Sequence, residues 1–503
     1  MSKLVSYYED FDRPVPAHEG GTPRAVRCDV AVVGAGAAGL AAAVRAAELG
    51  KKVILLEKTD TLGGNSRLAG GLLCTNSQVL AADGIPDTTD RHISLYERTH
   101  LYRLDKAIYG RFIRNTGEFY DWTVAHGLDA GNRRIIFDNV VMVTERIAPS
   151  PLNNPAYGPG LMGSKVTDHL IGRLDGLKVL TLTSTRVTSL KTEGAAVTGL
   201  TAVGDGFDWD ISADSVILAS GGFGCSNELL QRFFPRYFSS DNCFTHYCLQ
   251  CSTGDGITMA EAIGAEIGKN MSFGLDSMQH MPGTYTLQRL ALQPEGVVVS
   301  ATGKRFIPED DMENAEFAMD AQPDGIGWFL FPQSKMEKLY ELSLENSRFG
   351  DWMPEIDQLY ADLAEELPQG KTVKGDTIEE LAGAIGAPAS VLRQTLEQYE
   401  TFCAAGKDGE FMKDPKYLLP LGLEGPWYGV KMLRKFDVTM GGVSIDSRLR
   451  ALRPDGTPIP GLYAAGDTAS NWMGEEYGPL FSSFAWACNS GYLAAGECCG
   501  VYD

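Results

Sequence analysis

Cys28-Asp29-Val30-Ala31-Val32-Val33-Gly34-Ala35-Gly36-Ala37-Ala38-Gly39 is the stretch that decides the fold of this 503-residue chain. Its first six residues form an apolar run of strand length, and a Gly-x-Gly-x-x-Gly turn follows at once. Leu40 to Leu49 is Ala-rich and reads as a helix stopped at Gly50. Lys52-Val53-Ile54-Leu55-Leu56 is a second strand, ending at Glu57. The whole is one βαβ unit, its helix crossing between parallel strands. Gly34 makes the tight turn, Gly36 lets backbone approach a pyrophosphate, and Gly39 lets helix and strand pack closely. The pyrophosphate lies against Gly34, Ala35, Gly36, Ala37, Ala38 and Gly39, on the positive helix N-terminus. Glu57 is placed to accept hydrogen bonds from a ribose.

Working outward, the cofactor is read as FAD rather than NAD. Lys58 follows Glu57, then Leu62-Gly63-Gly64-Asn65-Ser66 and Gly70-Gly71. A second glycine loop at this distance passes close to a flavin's phosphates and ribityl chain. Near the C-terminus, Ala464-Ala465-Gly466-Asp467 offers Asp467 to a ribityl hydroxyl or a phosphate-linked water. Residues 92–126 are helical by pattern, whereas 177–185, 187–192, 197–203 and 209–211 alternate like short antiparallel strands. Ser215 to Gly222 is a further buried strand running into a glycine turn, and a helix spans about Ser483 to Gly496. Between them, residues 268–430 carry acidic helices and Gly/Pro-rich loops. The expected organisation is an N-terminal arm (1–26) and a Rossmann-like α/β domain in two parts (27–267 and 431–503). A second, α+β domain (268–430) is inserted into it.

Composition bounds the partners. A formal charge of −21 argues against nucleic acid, whose phosphates need a basic surface. No apolar run approaches the roughly 20 residues of a membrane span, and residues 1–21 hold no apolar leader core, so a cytoplasmic location is expected. Ten cysteines are too few for a disulfide scaffold. Cys243, Cys248 and Cys251 match the first three ligands of one iron–sulfur spacing, with no fourth in register. Buried thiols are the simpler reading, and no metal site is assigned.

Several motifs, in order over nearly the whole chain, resemble the fumarate reductase/succinate dehydrogenase flavoprotein superfamily, which includes urocanate reductase and the 3-ketosteroid dehydrogenases. They are Gly34–Leu40, Glu57-Lys58 with Gly63–Ser66, Ala219-Ser220-Gly221-Gly222, and Ser252-Thr253-Gly254-Asp255-Gly256. Gly303-Lys304-Arg305-Phe306, Thr439–Asp446 and Gly461–Asp467 complete the series. The resemblance implies an FAD domain carrying an inserted capping domain. It adds Val187, Ala219, Ser220, Gly221, Gly222, Asp255, Ser482 and Ser483 to the cofactor contacts. Family members that tether FAD covalently use a histidine just after the Gly-Gly pair. This chain has Asn65-Ser66-Arg67-Leu68 there, so noncovalent FAD is expected.

The resemblance also implies a reaction at an activated carbon–carbon double bond, with hydride passing between flavin and the β-carbon. Fumarate-type relatives use arginines to clamp carboxylates and deliver the proton. Here Gly303-Lys304-Arg305-Phe306 runs on into Ile307-Pro308-Glu309 without the relay arginine, and the acid arginine falls near Met336. The His-His of the Thr-Met-Gly-Gly motif becomes Asp437-Val438, and the clamp arginine falls on Tyr477. Arginine offers a permanent bidentate fork. Facing a neutral ketone in a closed pocket, it would be a costly buried charge. A tyrosine phenol donates one neutral hydrogen bond instead. Glu476-Tyr477-Gly478-Pro479 is similar to the ketone-binding segment of the 3-ketosteroid dehydrogenases, although Leu480-Phe481 replaces its second Pro-Gly.

The expectation is therefore an enone oxidoreductase with a 3-ketosteroid-like substrate, an external electron donor or acceptor, and Tyr477 on the ketone. Tyr285, His280 and Asp437 are further candidates, His280 and Asp437 being equally placed for structural roles. The alternatives are a reductase of an unsaturated carboxylate, using an arginine such as Arg289 or Arg434, and an electron-transfer flavoprotein subunit built on the cysteine cluster.

Overall fold

The computed structural model describes residues 15–18, 20–129, 133–136, 140–143, 162–235, 243–245, 248–268, 270–274, 277–280, 283–314, 318–319, 321–345, 355–474 and 482–502. The chain divides into two compact units. The larger holds Tyr8–Phe233, Tyr247–Gly274 and Asp437–Asp503; the smaller holds Phe234–His246 and Leu275–Phe436, with Met1–Tyr7.

The larger unit is built on an eight-stranded sheet. Its parallel core runs Pro458–Ala464, Phe207–Leu218, Thr22–Val33, Val53–Leu56, Leu180–Leu182. Helix Ala37–Glu48 is the crossover between Thr22–Val33 and Val53–Leu56, and helix Ser482–Cys498 packs along it. The opening strand starts at Thr22, not Cys28, so residues 22–26 belong to the sheet and not to an arm. Its pairing with Phe207–Leu218 keeps one register from Thr22↔Phe207 through Val33↔Leu218. For the same reason the two short segments expected over 209–222 are one strand. It alternates in burial as far as Asp214 and its last four residues are all buried, which is where a period-2 pattern and an apolar run read as separate elements. The helix expected over 92–126 is two, Thr89–Thr99 and Lys106–Ala125, the second started by Asp105 accepting from the Ala107 N–H. Of the segments expected to be antiparallel, Thr185–Glu193 and Ala196–Gly204 are, but Leu180–Leu182 joins the parallel edge.

The smaller unit is α+β. Strand Trp427–Phe436 is its spine, pairing antiparallel with Ile326–Pro332, Thr372–Gly375 and Ser277–Gln279, while Val297–Ser300 extends the far edge. Helices Gln333–Glu345 and Ile356–Glu366 cover one apolar cluster around Phe329, Phe331 and Met432. Helices Ile378–Ile385 and Ala389–Ala405 cover a second around Leu330 and Trp427.

Candidate functional site

A cleft in the larger unit runs along the C-terminal ends of the parallel strands, the position at which open α/β sheets bind ligands. The glycine turn is its floor. Gly34 has φ +96°, and a Cβ there would lie 2.5 Å from the Ala219 carbonyl oxygen. A Cβ on Gly39 would lie 1.8 Å from the Gly34 oxygen, so helix and turn touch backbone to backbone. At Gly36, by contrast, the nearest atom to such a Cβ is Ser66 Oγ at 3.5 Å. That residue presents bare backbone to the cleft at the start of helix Ala37–Glu48.

Glu57 does more than wait for a ribose. Its Oε2 accepts from the Ala35 N–H at 2.8 Å, and Oε1 accepts from the Thr59 N–H and hydroxyl at 2.9 Å. The carboxylate thus fixes the glycine turn while still lining the cleft. Ser66 Oγ accepts from the Ala37 N–H at 3.0 Å, tying the second glycine loop to the helix start. Asn65 bridges that loop to Leu249 N and Ser252 Oγ, both at 3.0 Å. Lys58 donates to Thr253 Oγ1 and Asp255, and Arg186 reaches the other Asp255 oxygen. Burial works against the Asp255 charge, but Lys58, Thr253 and Arg186 outweigh it and hold the carboxyl below its ordinary range.

The far wall comes from the C-terminal part of the chain. Gly466 is pinned twice: its N–H donates to Ser490 Oγ at 2.8 Å, and its carbonyl accepts from the Trp486 indole at 2.9 Å. Asp467 is therefore held in place. Its Oδ1 is buried with no hydrogen-bond partner, and burial pushes the carboxyl up to about 7. Buried polar atoms are nearly always paired. An oxygen left bare in a cleft with an open glycine floor fits the hydroxyl-bearing chain of a flavin dinucleotide.

Of the predicted cofactor residues, Gly34, Ala35, Gly36, Ala37, Ala38, Glu57, Lys58, Gly64, Asn65, Ser66, Val187, Ala219, Ser220, Gly221, Asp255, Gly466 and Asp467 line this cleft. The others do not. Gly39 packs beneath the turn, Gly63 turns the second loop at φ +111°, and Gly71 begins strand Gly71–Leu73. Gly70 precedes that strand, Gly222 lies against Thr439, and Ser482 and Ser483 open helix Ser482–Cys498. Thr185, Arg186, Cys251, Ser252 and Met259 line the cleft without having been expected. Ser252 stood inside a quoted motif. Thr185 and Arg186 flank Val187, but only the sheet order reveals which end of that strand meets the cleft.

The four catalytic candidates are not gathered by the described geometry. Tyr477 lies outside the described residues. Asp437 is buried in the larger unit, where its carbonyl accepts from the Cys248 thiol at 3.4 Å. His280 is buried in the smaller unit, with Nδ1 2.6 Å from the Lys431 carbonyl and Nε2 2.6 Å from Glu366 Oε2. Both ring nitrogens thus face acceptor oxygens, one of the backbone and one of a buried carboxyl. Glu366 also accepts from the Thr284 N–H and Thr372 Oγ1. Tyr285 begins helix Tyr285–Leu290, with Arg289 one turn on. Burial raises the Tyr285 phenol, and Arg289 partly offsets it.

Met336, where the acid arginine would fall, and Arg305, in the motif that precedes the missing relay arginine, are both held by other interactions. Met336 is buried in the apolar cluster of the smaller unit. Arg305 forks onto Glu309 at 2.9 and 2.7 Å and reaches Asp408 at 2.8 Å, and Lys413 closes the network on Glu309 at 3.2 Å. Of the cysteine cluster, the Cys243 side chain lies outside the described residues. The Cys225 thiol donates to the Cys248 carbonyl, and among the described residues no three His, Cys, Asp or Glu side chains could hold a metal ion. Nor, among those residues, is any helix long and apolar enough to cross a membrane.

The profile of a family described as an FAD binding domain matches residues 29–478. Urocanate reductase of Eggerthella lenta is 29% identical over 490 residues, covering 93% of this chain and 74% of that protein. Vinyl phenol reductase of Lactiplantibacillus plantarum is 27% identical over 484 residues, covering 90% and 92%. A solved 3-ketosteroid Δ1-dehydrogenase from Sterolibacterium denitrificans superposes with a TM-score of 0.75 at 21% identity, covering 95% of this chain and 100% of that one, a likeness of fold.

Proposed function

The chain belongs to the FAD binding domain family of flavoprotein oxidoreductases, and on that premise we propose that it acts on the carbon–carbon double bond, or the corresponding single bond, of a neutral enone with a 3-ketosteroid-like frame. One observation carries the reading. Tyr477 stands where a carboxylate-binding arginine would stand, with Glu475 and Glu476 beside it to repel an anion. A relative named for vinyl phenol, a substrate without a carboxylate, supports a neutral alkene.

When bound, FAD supplies or takes up the hydride at the β-carbon. Tyr477 donates a hydrogen bond to the ketone oxygen, where charge builds as the double bond is polarised. Gly34–Ala38, Glu57, Ser66 and Asp467 hold the cofactor, and the absence of histidine among residues 65–68 supports noncovalent binding. Tyr477→Phe tests the central role. It should retain FAD and lower kcat by about 10²–10³-fold, the usual loss for one such donor. Full turnover by this variant would remove Tyr477 from the mechanism.

A second reading keeps an unsaturated carboxylate as substrate. It is favoured by Arg289, which makes no ion pair among the described residues, and by the urocanate-named relative. Arg289→Gln would then raise KM for a carboxylate alkene and leave a neutral enone unaffected.

A further inference from the structure

Two adjacent cysteines close the last helix of the larger unit, far along the chain from the cofactor turn. The Cys498 and Cys499 sulfurs are 3.9 Å apart, both half-buried. Their surroundings differ from those of the other described thiols. Cys28, Cys74, Cys403 and Cys488 are pushed up by burial. Cys225 and Cys248 are spent on carbonyl oxygens. Cys251 lines the cofactor cleft, and Cys499 is set apart by its neighbours. The hydrogen bond from Cys498 lowers it, and the nearby Lys51 and Arg45 add to the effect against the cost of burial. Cys498 is correspondingly raised by the same bond. A half-buried thiol within 3.9 Å of a second thiol, with cationic side chains nearby to favour its ionised form, is the arrangement that reacts with peroxide and then resolves.

We infer that Cys498 and Cys499 form a peroxide-reactive modification site that closes to a vicinal disulfide. The Cys499 thiolate attacks hydrogen peroxide: an S–O bond forms, the O–O bond breaks, and hydroxide leaves. The Cys498 sulfur then attacks that sulfenic sulfur, forming S–S and expelling the oxygen. In sum, two thiols lose two electrons and two protons, and one peroxide becomes two waters. Adjacent Cα atoms lie about 3.8 Å apart, below the roughly 4.4–6.8 Å of relaxed disulfides. The product is therefore strained and easily reduced. Forming it disturbs the helix end, where the Cys499 N–H donates to Ala495 and the Val501 N–H to Gly496. The tail beyond is tied down by Arg448, which donates to the Tyr502 carbonyl at 2.8 Å, and by Arg111 over the Tyr502 ring.

The test uses the FAD-loaded, full-length protein under graded hydrogen peroxide, followed by thiol alkylation and chymotryptic peptide mass spectrometry. Peptide Leu493–Tyr502 holds these two cysteines and no other. It should lose two hydrogens at least about tenfold faster than Cys28, Cys74 or Cys488 is modified, and dithiothreitol should restore it. In C498S, Cys499 should stop at a sulfenic acid trapped by dimedone, whereas in C499S, Cys498 should stay a thiol. Retention of both thiols in that peptide while a buried cysteine oxidises would overturn the inference. So would a disulfide between two chains. The wild-type peptide alone decides the matter if either variant fails to fold.

Discussion

Replacing Asp467 by Asn separates the cofactor's contribution from that of the fold. In the apoprotein Asp467 Oδ1 is buried without a partner, and the carboxyl titrates near 7, against about 3.9 in an unfolded chain. The sign follows from linkage. A folded-state pKa raised above the unfolded one gives stability that is full below pH 3.9 and lost as pH rises through 7. Three pKa units at about 1.4 kcal/mol each give roughly 4 kcal/mol, and allowing for the part of the residue that faces the cleft leaves about 2–4 kcal/mol. About one of those units is already lost at pH 5, so wild-type apoprotein should be less stable at pH 8 than at pH 5 by about 1.5–2.5 kcal/mol, and Asp467→Asn apoprotein should lack this difference. FAD affinity moves the other way. A charge-assisted hydrogen bond to the ribityl chain is worth about 1.5–3 kcal/mol, so the variant should bind FAD roughly 10- to 150-fold more weakly. Urea melts of apoprotein at the two pH values, with fluorescence titration by FAD, measure both. If wild type and variant show the same pH dependence, or bind FAD equally, Asp467 does not face the cofactor.

Three further outcomes are expected. His280→Ala leaves Glu366 with only the Thr284 N–H and the Thr372 hydroxyl, and should cost about 3–5 kcal/mol in denaturant melts as a broken buried pair. Burial opposes the Glu366 charge, but His280 and the other donors hold its pKa below the ordinary range. That stability is present above the ordinary carboxylate range and lost as pH falls through the lowered pKa, so the variant should melt with less acid dependence. Gly39→Ala pushes a Cβ into the Gly34 oxygen and should cost about 3 kcal/mol or more together with FAD content. Gly172→Ala, in helix Met162–Leu174 with nothing within 4 Å of the new Cβ, should instead gain about 0.5–1 kcal/mol.

What the sequence discloses depends on how far apart the partners are. The Gly34 turn, the helix behind it and Glu57 are legible because a single βαβ unit contains every interaction that shapes them. Gly466-Asp467 is legible by repetition of the strand-to-glycine design, but the pins on Gly466 from Trp486 and Ser490 need the helix in place. Arg186 escapes notice because nothing local says that its strand end meets Asp255, 69 residues on. His280 reads as a catalytic candidate when its acceptor, Glu366, is 86 residues away. The Arg305–Glu309 pair is local, but Asp408 and Lys413, which complete the network, are not. Helix and strand boundaries shift for a related reason: the length of Phe207–Leu218 is set by its partner Thr22–Val33 and not by its own pattern.

The most direct measurement is anaerobic reoxidation of the reduced, FAD-loaded enzyme by a panel of alkenes. The panel comprises an enone steroid and a vinyl phenol on one side, and fumarate, urocanate and cinnamate on the other. Flavin absorbance reports the reaction, and product analysis identifies the bond reduced. The account predicts reoxidation by a neutral alkene and none by fumarate. Turnover of the carboxylates alone would contradict it.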